Sequence, residues 1–236
     1  MSARQKLLRS YPATAEAELE GESPLKLTDK AHTILEEMIV TLKLAPGSTW
    51  SEASICDRIE IGRTPVREAL QRLALEQLVQ IVPRYGVIVT EILVPEQIMV
   101  VEARRVLDPL IASRAARRSS PREKLRIGDH RRKLIDLLQM PDAENFLRLH
   151  LDLRRFVAAC TRNKFLAASL APVDGLSRRF FFVHQNSPAQ IERAVGLHAD
   201  ILQAIATDDE REAAAAANRL LDHEEEFTRA AFDSQY

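Results

Sequence analysis

Arg63, Thr64 and Arg67 stand in the run Gly62-Arg63-Thr64-Pro65-Val66-Arg67-Glu68-Ala69-Leu70-Gln71-Arg72-Leu73. An arginine guanidinium is a rigid fork of donors. It matches the O6 and N7 of guanine in a major groove, a pairing worth about 1–3 kcal/mol of base discrimination. The spacing predicts a helix that begins at these arginines. Thr64 is a favourable N-cap, and Pro65 suits the first helical position, where a missing N–H costs nothing. Ala69, Leu70 and Leu73 then form an apolar stripe at helical spacing. Stability alone would place Asp or Glu at such a start, because the positive end of the helix dipole disfavours cations. Two arginines there point to an anionic partner, set against the plainer reading of solvated surface charge.

The elements around this run explain how it would be held. Thr28 can cap a helix to about Lys43, with Ala31, Ile34, Leu35, Met38, Ile39 and Leu42 facing inward. Leu44-Ala45-Pro46-Gly47-Ser48 is a stop and a turn. A short helix follows from Ser51, buried through Ile55 and Ile59 and ended by Gly62. The helix of the opening run extends to about Gln77. Gln80-Ile81-Val82 and Val87-Ile88-Val89-Thr90 are β-rich, with Pro83-Arg84-Tyr85-Gly86 turning between them. Three helices plus a β-hairpin wing make a winged helix-turn-helix, in which the start of the second motif helix reaches base edges. From Pro95 onward the pattern is helical, over about 95–118, 121–139, 142–162, 163–183, 188–207 and 209–232. Pro109 should kink the first of these. The chain therefore divides into a flexible tail (1–24) with a helical fragment near Ala13–Glu20, a winged domain (25–93), and an all-α antiparallel helical bundle (94–232). The fold class is mainly α.

Bulk properties narrow the class further. The 236 residues are 46% hydrophobic with 7 glycines, which suits a helical protein with a real core. There is no secretory h-region and no apolar run of membrane-span length, so the expected location is the cytoplasm. Cys56 and Cys160 are far apart and form no metal or redox motif. Net charge is −1, and residues 25–93 hold eight cations against nine anions. DNA binding must therefore come from local clustering, and Arg63 and Arg67 must carry much of it.

The Leu44–Ser48 turn, the Gly62–Leu70 string and Gly86-Val87-Ile88-Val89 resemble the GntR-type bacterial transcription regulators. The helical half resembles the FadR subgroup with its FCD domain, through Glu102-Ala103-Arg104, Leu107-Asp108-Pro109, the Arg162-Asn163 turn and His198 to Ile205. The resemblance implies a homodimer on a short palindromic operator, most often a repressor, and no enzyme. It places Arg63, Thr64 and Arg67 at bases and phosphates, and Gly86 at a wing tip that approaches the minor groove. Arg84 belongs to the same wing. Tyr85 is either a wing-tip contact or a turn aromatic. Relatives often carry an arginine one position after the glutamate matched by Glu52; this chain has Ala53.

The FCD resemblance also implies a divalent metal held by an Asp, a His four residues later and two further histidines. Those places fall on His150, Arg154, His198 and Leu220. An arginine cannot ligate a metal, so the set is incomplete. No metal or other cofactor is expected unless the register slips to Asp152, Asp222 or His223. Arg104, His150, Arg154 and His198 instead make a candidate effector pocket for a small organic acid, because an arginine fork fits a carboxylate. The alternative is core histidines with satisfied hydrogen bonds and an Arg154 paired with Asp152, Glu144 or another acid. Arg178-Arg179-Phe180-Phe181-Phe182 is expected to pack the core and the dimer interface through its aromatics; its arginines reach either a helix end or the pocket. An enzyme built on His150, His198 and Asp152 lacks a nucleophile–base spacing or a phosphate loop. A winged domain that binds protein is the remaining class.

Overall fold

The computed structural model describes residues 26–184 and 187–233. The expected N-terminal tail and its helical fragment lie outside the described residues. The winged half is α1 (Leu27–Val40), β1 (Thr49–Trp50), α2 (Glu52–Ile59), α3 (Arg63–Leu75), β2 (Val79–Val82) and β3 (Gly86–Val89). The helical half is α4 (Val94–Arg118), α5 (Pro121–Asp136) with a 3₁₀ turn at Leu137–Gln139, α6 (Ala143–Cys160), α7 (Lys164–His184), α8 (Pro188–Ala206) and α9 (Glu210–Asp233).

Sequence alone read the wing as a two-stranded hairpin. The sheet has three antiparallel strands in the order β1-β3-β2, with Trp50 opposite Val87 and Val82 opposite Gly86. β1 is two residues long, too short to show an alternating pattern. Its pairing brings the start of α2 beside Gly86, at the turn end of the wing. The winged core is a single cluster that includes Leu35, Ile39, Ile55, Val66, Leu70, Leu73, Val87 and Val89.

Two local readings are corrected. Thr64 is not the N-cap: Gly62 is, with extended φ −62° and ψ 163°, and the helix begins at Arg63. Thr64 and Pro65 become its second and third residues, where the backbone N–H has no intrahelical partner in any case. The Thr64 hydroxyl is thus free of capping duty. The preceding helix ends not at Gly62 but at Glu60, which takes the left-handed conformation at φ 56°.

In the helical half, α4 packs against α9, α7, α6 and α8 and forms the spine of the bundle. It continues through Pro109 as one helix. Capping boxes at Ser120/Glu123 and Ser187/Gln190 start α5 and α8, each followed by proline. The two halves are docked. Gly175 of α7 lies so close to Leu78 that a Cβ there would sit 2.8 Å from its Cδ1. No described helix is long and apolar enough to cross a membrane.

Candidate nucleic-acid interface and ligand pocket

Arg63, Thr64, Arg67, Arg84 and Tyr85 are all exposed, Tyr85 by 77%. Arg67 is held by Glu52 at the start of α2, with Nη2 2.7 Å from one carboxylate oxygen and Nε 3.2 Å from both. That hydrogen bond, outweighing a small burial effect, lowers the Glu52 pKa. The pair was not foreseen, because its members lie 15 residues apart on different helices. Gly86 has a structural reason of its own. Its φ is +105°, and a Cβ would stand 2.4 Å from the Trp50 carbonyl oxygen. The segment Trp50-Ser51-Glu52 therefore carries both contacts: it receives the wing at Gly86 and restrains Arg67. In this way β1 sets the wing and the start of α3 relative to one another. Beside them, Arg58 lies over the Trp50 ring at 5.2 Å.

The four expected effector residues converge. Asp108, Arg154, His198 and Leu220 help line a cavity of about 50 Å³ with Leu153, Val157, Leu202 and Ala217. Arg104, His150, His198, Leu220, Phe146 and Phe227 line a neighbouring one of about 20 Å³. Neither arginine is a free cation. Arg154 bonds Asp108 at 2.9 and 3.0 Å and places Nε 2.6 Å from Asp174. Arg104, only 2% exposed, bonds Asp108 at 3.0 Å, Ser177 at 2.8 Å, and Glu224. A chain of alternating charge results: Glu224, Arg104, Asp108, Arg154, Asp174. Burial works to raise the Asp108 pKa, but Arg154 and Arg104 override it and bring it to about 2. Burial dominates at Glu224 and raises its pKa despite Arg104. The acids that pair with Arg154 are thus Asp108 and Asp174, not Asp152 or Glu144. Arg104 and Asp108 form an i, i+4 pair that the sequence does display; the other partners come from distant helices.

The histidines are not satisfied core residues. His198 Nδ1 donates to the Ala194 carbonyl at 2.8 Å, yet its Nε2 and both His150 nitrogens have no partner in the protein. Burial lowers the His198 pKa to about 4. Burial, with His198 and Arg154 next in weight, lowers that of His150 well below the ordinary value. The donor set does not fit a metal. An ion-paired guanidinium and a leucine stand beside the two imidazoles, and no group of three or more candidate ligands exists among the described residues.

Arg178 and Arg179, left undecided by sequence, join the two halves. Each is 1% exposed. Arg178 lines the smaller cavity and reaches Glu36 at 2.9 Å and Glu37 at 3.2 Å on α1. Arg179 donates to the carbonyls of Thr90 at 2.7 Å and Glu91 at 2.9 Å. Glu36 also takes Arg155 at 2.7 Å. A crevice of about 450 Å³ runs beside these contacts, lined by His32, Glu76, Arg154, Arg155 and Asp174 among others.

A winged helix-turn-helix with exposed arginines at α3, docked on a helical bundle with an internal pocket, defines a two-domain DNA-binding regulator. Residues 27–89 match the model of bacterial regulatory proteins of the gntR family, and residues 99–223 match the FCD domain. The chain belongs to the GntR-family transcription regulators with an FCD domain. It is 28% identical over 205 residues to the HTH-type transcriptional repressor RspR of Escherichia coli K12, covering 83% of this chain and 85% of that one. A regulator from an unstable DNA locus of Streptomyces ambofaciens is 45% identical over 58 residues, 25% of either chain. Among solved structures, E. coli McbR/YncC shares the fold with a TM-score of 0.76 at 16% identity, over 89% of this chain and 100% of that one. A GntR regulator from Rhodococcus sp. RHA1 gives 0.67 at 19%, over 86% and 98%. The two curated relatives are described as HTH-type transcriptional regulators, not as enzymes.

Proposed function

We propose that the protein is a cytoplasmic, homodimeric repressor. Each winged domain reads one half of a palindromic operator, and a small molecule in the helical domain controls that binding. Arg63, Thr64 and Arg67 would meet bases and phosphates in the major groove, with Arg84, Tyr85 and Gly86 at the wing. One observation carries the reading: in a domain without net positive charge, the exposed arginines gather at the start of α3 and at the wing, which β1 ties together. Repression is supported by the similarity to RspR, whose description is that of a repressor. The sequence pointed to an organic acid as effector. The ion pairs that engage Arg104 and Arg154 favour a ligand without net negative charge.

A gel shift on palindromes from the gene's own upstream region, run across salt concentrations, tests the DNA half. Specific binding that falls steeply with salt is expected. Undiminished binding by the double variant Arg63→Ala/Arg67→Ala would remove the assignment. Sedimentation of the free protein and of its operator complex tests the dimer.

A further inference from the structure

His150 and His198 are more than nine-tenths buried, with ring centroids 4.6 Å apart and planes nearly perpendicular. Three of their four ring nitrogens have no hydrogen-bond partner in the protein. A buried polar group left unpaired costs about 1–3 kcal/mol, so two such rings side by side are a poor packing solution and a good receptor. The chemistry they request can be read from His198. A carbonyl oxygen can only accept, so the bond to Ala194 fixes the proton on Nδ1 and leaves Nε2 a lone-pair acceptor. With His198 held neutral by burial, the cavity presents an acceptor that needs a donor. His150, also neutral, adds one donor and one acceptor.

A carboxylate anion brings acceptors only and cannot serve His198 Nε2. The fixed charges agree. Arg104, Arg154 and Arg178, which face the two cavities, are each already bonded to carboxylates of the chain. An added anion would find none of the three guanidiniums without a carboxylate partner of its own. Leu220, Phe146 and Phe227 supply an apolar wall. The cavities, about 50 and 20 Å³, share His198 and Leu220 in their linings and suit a short molecule.

We propose that this pocket binds a compact, uncharged molecule bearing a hydroxyl or a primary amide, whose O–H or N–H donates to His198 Nε2 while His150 makes the second polar contact. The inference rests on the reading of the helical domain as the effector half, and its test separates the two. Full-length protein with ¹⁵N-labelled histidine is titrated with butyramide, 1-butanol and butyrate. The His198 Nε2 resonance should move upfield with the first two, and butyrate should bind about tenfold more weakly, the worth of one hydrogen bond. His198→Phe, which keeps a ring in place, should abolish the preference for the neutral probes. The inference is overturned if butyrate binds as tightly as butyramide, or if none of the probes moves the His198 signal while operator binding is intact. Absence of operator binding by the wild type would instead overturn the regulator reading beneath it.

Discussion

Arg67 has one partner in the free protein, Glu52, and on the proposed reading a second at the operator. In the free protein its fork lies on Glu52, and at an operator the same fork would face guanine. Arg67 is exposed and Glu52 partly so, and an ion pair screened by water in this way adds little to folding. Its use is to orient the guanidinium before binding. Arg67→Ala should cost about 1–3 kcal/mol of operator affinity and reduce the salt slope by about one, with little change in thermal stability. Glu52→Gln removes a negative charge beside the groove and releases the fork. Binding to mixed-sequence DNA should tighten while the ratio of operator to scrambled affinity falls, as fluorescence anisotropy would show. The histidine pair makes a separate residue-scale prediction. The pKa of His198 is depressed from 6.5 to about 4, and that of His150 moves the same way. Between those values the unfolded chain binds more protons than the folded one, so stability is full above pH 6.5 and declines as pH falls toward 4. Urea midpoints should drop between pH 7 and pH 5, and the drop should shrink in His198→Phe. A flat profile would mean that the rings titrate in the folded protein as they do in the unfolded chain.

At the scale of elements, two glycines with opposite surroundings give opposite outcomes. Gly86 opens β3 at φ +105° with the Trp50 carbonyl where a Cβ would lie. Gly86→Ala should part the wing from β1, destabilise the winged half by about 1–3 kcal/mol, and weaken operator binding. Gly128 lies inside α5 with nothing within 4 Å of an added Cβ. Gly128→Ala should stabilise by about 0.4–1 kcal/mol through helix propensity and the unfolded chain's lost freedom. Denaturant midpoints decide both, and an unaffected Gly86→Ala would show that the wing adapts to the side chain. The helices of this fold were legible because prolines, serine caps and 3.6-residue stripes mark them locally. The three-helix winged unit was legible for the same reason. β1 was not, since two residues carry no period. The cap was misplaced by two residues, at Thr64 instead of Gly62, because threonine is a strong side-chain cap and Gly62 read only as the end of the preceding helix. In the pocket, all four expected residues came together, but their acidic partners on other helices were invisible. That is why two arginines that read as free forks are internal struts.

Over the whole molecule, the feature that sequence concealed most fully is the docking of one half on the other. Glu36 and Arg178 are 142 residues apart, and nothing local marks either as a partner of the other. Yet this pair, with Glu37, is buried and charged, the partly exposed Arg155 joins it at Glu36, and Arg178 also lines the cavity beside His150 and His198. A side chain that lines the cavity on one side and meets α1 of the winged half on the other would be, on the proposed reading, a short physical route between pocket and operator. An equilibrium can be shifted only if the ligand has different affinity for two arrangements; a ligand that drew Arg178 toward the cavity would take it from Glu36 and Glu37 and so meet that condition. Arg178→Met keeps most of the bulk and removes the charge. It leaves Glu37 with Arg148 at 3.8 Å and Glu36 with Arg155. Breaking one side of a buried pair costs about 3–5 kcal/mol, and here the loss should fall on the junction. Calorimetry should resolve two transitions where the wild type gives one, and hydrogen exchange should speed up in α1. Operator affinity should stay within a few fold, since the α3 and wing contacts are untouched. Lys43→Ala breaks a solvent-exposed ion pair across the same junction, to Glu144, and should leave the single transition intact. If Arg178→Met also melts in one step with unchanged exchange, the junction is held by Arg179 and the packing of Gly175 on Leu78, and Arg178 is not the link between ligand and DNA.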